Sequence, residues 1–410
     1  MTKTICLVYA ISPIHAVSAI SAILTRRASS RVSVVILVHW PGAEAELVKE
    51  LTDIIGAMLQ AFSFIERVVP ITSAAISDVF AEKSMRKATV RFKKVIGVEH
   101  ADELYYPHDV VGMLYQALST VYGKARRICF GDAMGEVFER EVHLSYLNAS
   151  NGSTPHAPTG FRALLANTFD KGRSIWREQA RDTNGNIVLK DFPPHEAALI
   201  LPVDQSGNFL KRIELVVPNK NTVLDVLGKC VSSVRELRQY IDDLLLRYSN
   251  EDKCILLTDN LAEGNFIDFD TEVEMYCTML KEYCAPESII FLKSHPGESL
   301  PRNEAIRGRL SGTFRVEELE RRFKRYPIEM WKPLVINSKV ICLSYPVLSL
   351  KYLYGVDAIQ PMDEAFIEKW FPEWTWASFK NSATLYMEPL KRLGGWDGRS
   401  VLWSGSVAKQ

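Results

Sequence analysis

The sequence has no excess of charge of either sign: 49 basic and 49 acidic residues cancel over 410 positions. Nucleic-acid binders usually carry a strongly basic domain or stripe, and none is evident, so a nucleic-acid partner is set aside. Composition also excludes an acidic disordered chain, because 47% of the residues are hydrophobic and 24% charged. No CxxC pair occurs among the seven scattered cysteines, Cys6, Cys129, Cys230, Cys254, Cys277, Cys284 and Cys342. Their odd number and their position inside apolar runs predict buried free thiols in a reducing compartment. Nor is there an unbroken membrane-length run. Residues 5–24 are uncharged, but Ser12, Pro13 and His15 interrupt them. A strand, a turn and an amphipathic helix fit that stretch better than a span or a signal peptide. A Walker lysine loop, a GxGxxG after a strand, a GxSxG elbow and histidines at metal-ligand spacing are all missing. The sequons at Asn148 and Asn151 read as chance in a chain with reduced cysteines and no signal.

What is present is an alternation of short β-branched runs with helical periods. Strands are expected at 4–10, 32–38, 66–71, 103–106 and 127–130, with helices at 43–62, 84–97 and 109–123. The stretch 148–196 differs: NASNGSTPHAPTG, RDTNGN and DFPPHE are turn signals, and Asn184-Gly185 could turn a hairpin. Strands at 197–203 and 212–217 and a helix at 228–247 follow. A second series runs from strand 254–258 through helix 270–284, strand 288–293, a short helix at 327–336, strand 339–343 and helix 348–355. Repeated βαβ units imply parallel sheets covered on both faces. The expected domains are 1–220 with a turn-rich insertion at 148–196, then 221–362, then a Trp- and Phe-rich helical tail, 363–410, folding back on the first domain. Length agrees, at about 100–200 residues per domain.

Ligands of such folds sit beyond the carboxyl ends of the strands. Four segments fall there. In Cys129-Phe-Gly-Asp-Ala-Met-Gly-Glu136, Gly131 and Gly135 bracket Asp132, which reads as a helix N-cap or as a general base toward a hydroxyl. In Phe291-Leu-Lys-Ser-His-Pro-Gly-Glu298, His295 follows a strand and Pro296 fixes the next turn; its imidazole can donate to phosphate, with Lys293 and Ser294 adding donors. In Cys342-Leu-Ser-Tyr-Pro-Val-Leu-Ser-Leu350, Ser344 ends a strand and Ser349 stands at a helix start, either a plain cap or part of an anion site. Thr258, Asp259 and Asn260 could line the same cleft.

In this order the segments resemble those of bacterial lipooligosaccharide sialyltransferases and capsule polysialyltransferases. The resemblance rests on Asp132 in GDAMG, His295-Pro296 in SHPGE, Tyr326-Pro-Ile-Glu329, and Ser344 with Ser349, over roughly residues 100–360. It implies a GT-B fold, two Rossmann-like parallel-sheet domains with an interdomain cleft. It also implies inverting, metal-independent transfer of sialic acid from CMP-sialic acid to a bacterial surface glycan, with no cofactor. Asp132 would then deprotonate the acceptor. His295 would bind the CMP phosphate, with Ser344 and Ser349, and Glu329 would touch the ribose. Ser12 and His15 would face the acceptor. Ala133 stands where that group has glycine, which leaves Glu136 as a rival base. Ser344 and Ser349 replace an adjacent pair, so which serine meets phosphate stays open. Other readings are transfer of another CMP-linked sugar such as Kdo, a nucleotide-sugar epimerase, and a catalytically silent binding subunit. Asp268-Phe-Asp270 is formally a metal-binding DxD but reads better with Asp270 as a helix cap. Asp182-Thr-Asn-Gly-Asn186 reads as a turn rather than a calcium loop. The basic cluster Arg321-Arg322-Phe-Lys324-Arg325 is a solvated face or a contact with an anionic membrane. The implied location is cytoplasmic, at the inner face of the membrane if that contact is made. Oligomeric state is left open.

Overall fold

The computed structural model describes residues 3–82, 84–107, 113–131, 189, 194–199, 214–216, 218–344, 346–377 and 379–380. Two parallel sheets organise them. The first runs in the order β3-β2-β1-β4-β5-β6-β7, built from β1 Thr4–Ala10, β2 Val32–Val38, β3 Ile65–Pro70, β4 Glu103–Pro107, β5 Arg126–Gly131, β6 Glu196–Leu199 and β7 Glu214–Val216. The second runs β10-β9-β8-β11-β12, from β8 Lys253–Leu257, β9 Ile289–Lys293, β10 Arg315–Glu318, β11 Lys339–Ile341 and β12 Ala358–Ile359. Both sheets therefore turn outward from their first strand in the same way, reversing direction beside it. That reversal opens a crevice at the carboxyl edge. β1 and β2 are almost wholly buried, as strands covered by helices on both faces must be.

The first half carries α1 Pro13–Arg26, α2 Ala45–Leu59, α3 Ser73–Phe80, α4 Met85–Ile96 and α5 Met113–Val121. Residues 5–24 form a strand and a helix joined by a Ser12–Pro13 turn. Among the described residues no helix is long and apolar enough to cross a membrane. All seven cysteines are free and buried.

Several elements differ from expectation. The helix expected at 228–247 is two, α6 Lys220–Ser233 and α7 Arg235–Arg247, because Val234 leaves helical geometry at φ −101°, ψ 75°. α6 starts early because the Asn219 side chain accepts the Asn221 N–H. It packs on α1 and α2, so it belongs by contact to the first half although the chain has already left that sheet. α8 Phe269–Tyr283 is capped by Asp268, which accepts from the Thr271 N–H and hydroxyl. Asp270, expected as the cap, instead pairs with Arg309. α3, α9 Arg302–Leu310 and β10 were not anticipated. The segment expected as a helix at 327–336 is a 3-10 turn, Ile328–Trp331, followed by the short α10 Lys332–Val335. α11 spans Pro346–Tyr354 and α12 Glu364–Trp370. The described tail packs through Ile367, Phe371 and Phe379 onto the core of the second sheet; residues 381–410, the rest of the tail expected to fold back on the first domain, lie outside the described residues. The sequons, the 182–186 turn and nearly all of the 148–196 insertion lie outside the described residues.

Away from the crevice, the amino-terminal edge of the first sheet is tied by charge. Glu103, 2% exposed, accepts from Arg27 at 2.7 Å and from the Tyr105 hydroxyl at 2.8 Å, and lies 3.6 Å from Arg26. Glu196, at the start of β6, pairs with Arg26 and Arg126. Burial opposes ionisation of Glu103, but the arginines outweigh it and hold its carboxyl below the usual range. Removing one partner of such a cluster strands buried charge. Glu103→Ala is therefore expected to cost about 3–5 kcal/mol, read by urea denaturation. A loss below 1 kcal/mol would mean that the arginines find water instead.

Candidate functional site

The site is built on the carboxyl edge of the second sheet. β8 and β9 are neighbours in register, Leu257 opposite Lys293, so the residues after each strand emerge side by side. Thr258 donates its hydroxyl to Glu298 at 3.1 Å, and its Oγ1 accepts the His295 N–H at 3.3 Å. Ser294 donates to the other Glu298 oxygen at 3.2 Å and accepts from the Asn303 amide at 2.7 Å. The His-Pro turn is thus held from both strands.

The orientation of His295 follows from Gly297. Its N–H donates to Nδ1 at 3.0 Å, which places the ring proton of neutral imidazole on Nε2. A Cβ at Gly297 would lie 3.3 Å from Nδ1 and 3.5 Å from the Asn260 amide nitrogen, so glycine is what lets this turn close on the ring. Burial, with Lys293 and Arg302 nearby, lowers the His295 pKa to about 4. His295 is therefore neutral at physiological pH. Below it, the buried Lys293 ammonium donates to the Lys324 carbonyl at 3.0 Å and lies over the Trp331 ring. Burial brings its pKa down to about 8, opposed by the charge of Glu329.

The two serines are both engaged by carboxylates. Ser344, beyond β11, hydrogen-bonds the Asp259 side chain, and burial raises the Asp259 carboxyl to about 6 against that bond. Ser349 is not the cap expected: α11 begins at Pro346, and Ser349 lies inside the first turn, donating to Glu329 at 2.5 Å. Glu329 is itself fixed by the Tyr354 hydroxyl on its carbonyl. Asp259, Ser344, Glu329, Thr258, Asn260, His295 and Pro296 thus stand on loops or turns at this edge, with Ser349 in the first turn of α11. Among the described residues no group of three or more His, Cys, Asp or Glu is placed to hold a metal ion.

In the first half, Ser12 caps α1, accepting from the His15 N–H. His15 is buried, its Nδ1 accepts the Ile11 N–H at 3.4 Å, and its ring meets Phe130 edge-on at 5.7 Å. Gly131 ends β5 beside Leu199. His15 therefore sits where β5 delivers the chain toward Asp132. Asp132, Gly135 and Glu136 lie outside the described residues.

Sequence reasoning missed the group that supports this edge. Arg302, fully buried on α9, pairs with Glu263 at 2.5 Å, Glu272 at 2.9 Å and Glu298 at 2.9 Å. Glu263 accepts the N–H groups of Ser299 and Leu300; Glu272 accepts those of Leu261 and Ala262. Burial raises Glu272 to about 7 and raises Glu298, each against the pull of Arg302. The available signal was Pro301, which favours the start of a helix, placing Arg302 four residues after Glu298. The basic cluster is not a free face: Arg321 pairs with Glu318, Arg322 with Glu320 and Glu236, and Arg325 with Glu50.

No protein-family model matches the sequence, and no curated sequence is significantly similar to it. Solved structures share its fold. A UDP-GlcNAc 2-epimerase from Neisseria meningitidis, solved with UDP-GlcNAc, superposes with TM-score 0.50 at 13% identity, covering 95% of this chain and 93% of the other. A Photobacterium 2,6-sialyltransferase, solved with CMP and lactose, gives TM-score 0.51 at 11% identity, covering 95% and 78%. The fold is α/β of the GT-B type, with two Rossmann-like parallel-sheet halves.

Because folding favours the protonated Asp259 carboxyl, its contribution is full at acid pH and is lost as pH rises through 6. Asp259→Asn is expected to stabilise the protein by roughly 1–3 kcal/mol at pH 8 and hardly at all at pH 4. Thermal unfolding at the two pH values checks this, and an equal shift at both would contradict it.

Proposed function

We propose that this protein is a glycosyltransferase that moves sialic acid from CMP-sialic acid to a hydroxyl of a bacterial surface glycan, with inversion and without a metal. The observation that carries this reading is His295 with its Nε2–H available, at the carboxyl edge of a Rossmann-like sheet. Transfer from a CMP-sugar breaks the bond between the anomeric carbon and a phosphate oxygen. Negative charge grows on that oxygen, and a donor already placed there stabilises the transition state without reorganising. A phosphate beside His295 would raise its depressed pKa, so the ring could also pass a proton to the departing phosphate. The N-terminal turn of α11 offers further N–H donors.

The remaining roles follow from placement. Glu329, pre-ordered by Ser349 and Tyr354, presents a carboxylate suited to ribose hydroxyls. Ser344 and Ser349 are both phosphate contacts in this reading, each having to share its hydroxyl with a carboxylate, Asp259 for Ser344 and Glu329 for Ser349. Asp132 would take the acceptor proton from the opposite face of the sugar, as single-step inversion requires, with Glu136 as the rival base. Thr258, Asp259, Asn260 and Pro296 shape the donor edge, and Ser12, His15, Gly131 and Gly135 the acceptor side. The location proposed is cytoplasmic, where the activated donor would be met.

A second reading has a specific observation behind it: the epimerase has equal likeness in fold. That fold serves UDP-sugars as well, so donor choice must be measured. CMP released from CMP-sialic acid in the presence of an acceptor supports transfer. Release from CMP-Kdo alone moves the donor assignment. UDP-sugar turnover without acceptor favours epimerisation, and saturable CMP binding with no transfer favours a binding subunit.

Asp132→Ala is expected to abolish transfer while CMP binding, by calorimetry, is retained. His295→Ala is expected to weaken CMP binding and to lower kcat by roughly 10²–10³. Full activity of Asp132→Ala would remove Asp132 as the base.

A further inference from the structure

Arg325 differs from the other arginines of its cluster. Arg321 and Arg322 are well exposed and pair within the second half. The Arg325 side chain is 10% exposed and reaches two places. Its Nε donates at 2.7 Å to Glu50, on α2 of the first half, and its Nη1 donates at 3.0 Å to the carbonyl of Pro296. One planar guanidinium therefore joins the far half of the molecule to the backbone of the His-Pro turn. The segment carrying it is stitched to the same turn twice more: Lys293 donates to the Lys324 carbonyl at 3.0 Å, and Lys324 reaches the Glu298 carbonyl at 3.5 Å.

We infer that Arg325 is an interdomain latch, a positioning residue that ties the His295-Pro296 turn to α2 when the two halves are closed. The two contacts differ in strength of commitment. Pro296 and Arg325 lie in the same half and in a partly buried setting. Glu50 is half exposed, so its pairing is open to salt and to competing water. The halves also meet through α6, whose Val223, Val226, Leu227 and Cys230 are buried in the core shared with α1 and α2. Apolar packing of that kind is not switched by salt. The ion pair is thus the contact that can open and close, while the bond to Pro296 stays within the second half and keeps the His-Pro turn braced. The guanidinium suits this role because its fixed, spread donors serve a carboxylate and a carbonyl at once in one geometry.

The latch itself is independent of the donor assignment; its effect on turnover rests on the function proposed above. Nitroxide labels at Glu99→Cys and Asp242→Cys, both exposed positions in opposite halves, report the interdomain distance, since the seven natural cysteines are buried. Four backgrounds are compared: the otherwise native chain, Glu50→Gln, Arg325→Ala, and the swap Glu50→Arg with Arg325→Glu. Glu50→Gln and Arg325→Ala are expected to broaden and lengthen the distance distribution, as high salt should in the native chain. The swap should restore the narrow distribution, because it rebuilds the pair. It cannot rebuild the bond to Pro296, because a carboxylate has no proton to give. CMP affinity should therefore stay within about twofold of native in Glu50→Gln but fall about 3–10-fold in Arg325→Ala and in the swap. Indistinguishable distributions in all four backgrounds would overturn the latch. If distances respond as expected but the native chain binds no CMP, the latch stands and the donor assignment falls.

Discussion

One buried guanidinium sets the geometry of the loops that carry the His-Pro turn. Arg302 is shut away from water, and a cation there is tolerable only when its surroundings supply compensating charge and hydrogen bonds. Three glutamates supply them, and each glutamate spends its remaining acceptor capacity on a different loop. Glu272 and Glu263 fix the backbone after β8 and the turn into α9; Glu298 collects the hydroxyls of Thr258 and Ser294. Three carboxylates around one cation would leave excess negative charge if all were ionised. Burial pushes the Glu272 carboxyl up to about 7 and raises that of Glu298, against the pull of Arg302, so the cluster takes up a proton more readily than free carboxylates would. The result is that the loops beyond two adjacent strands cannot move separately. His295 inherits its position from this frame.

The two sheets add a second level of constraint. Each reverses strand order beside its first strand, so each offers a crevice at its carboxyl edge. Thr258, Asp259, His295 and Ser344 sit on one edge, and Ser12, His15 and Gly131 sit on the other. α6 fixes the first half to the second by apolar contact, while Arg325 connects the edges themselves by a polar one. The proposed two-substrate transfer would use this division. Permanent burial keeps the halves paired, and an exposed ion pair leaves the crevice room to open.

The strands of both halves were readable because buried parallel strands are short β-branched runs, as in VSVVILV and SIIFLK. The position of His295 was readable for the same reason: once β9 is placed, the residue after its end is placed too. The rest was less visible for identifiable reasons. α9, RNEAIRGRL, is charged almost all round and carries a glycine, so its apolar period is faint, and its buried face is made by Arg302 and Asn303 as much as by Ile306 and Leu310. An arginine in a charged segment reads as surface, and nothing local says that its partners lie four, 30 and 39 residues upstream. β10, RVEE, has no apolar run at all and is recruited as an edge by pairing with β9. The break at Val234 depends on a single residue that keeps its N–H bonded to Cys230 and Val231 while its φ and ψ leave the helix. From the sequence, Ser349 stands at the start of α11 because the helix is expected from 348, whereas it opens at Pro346.

The neutral balance of 49 against 49 acquires a structural meaning at this edge. An anionic ligand could be met by exposed cations, but the obvious basic cluster is already consumed by glutamates. What remains at the His-Pro turn is different in kind: a neutral imidazole with one directed N–H, hydroxyls fixed by carboxylates, and an ammonium buried beneath them with its pKa lowered to about 8. Such groups are weak attractors at long range and strong donors at contact. Asp259 and Glu329 add negative charge to the same edge, which penalises a bare phosphate that lacks the rest of the ligand. An arrangement of this sort selects by geometry, since an anion gains little until every donor is met at once. It would bind a nucleotide through its whole shape rather than through its charge, which suits the proposed transfer, where a leaving phosphate is held only during the reaction.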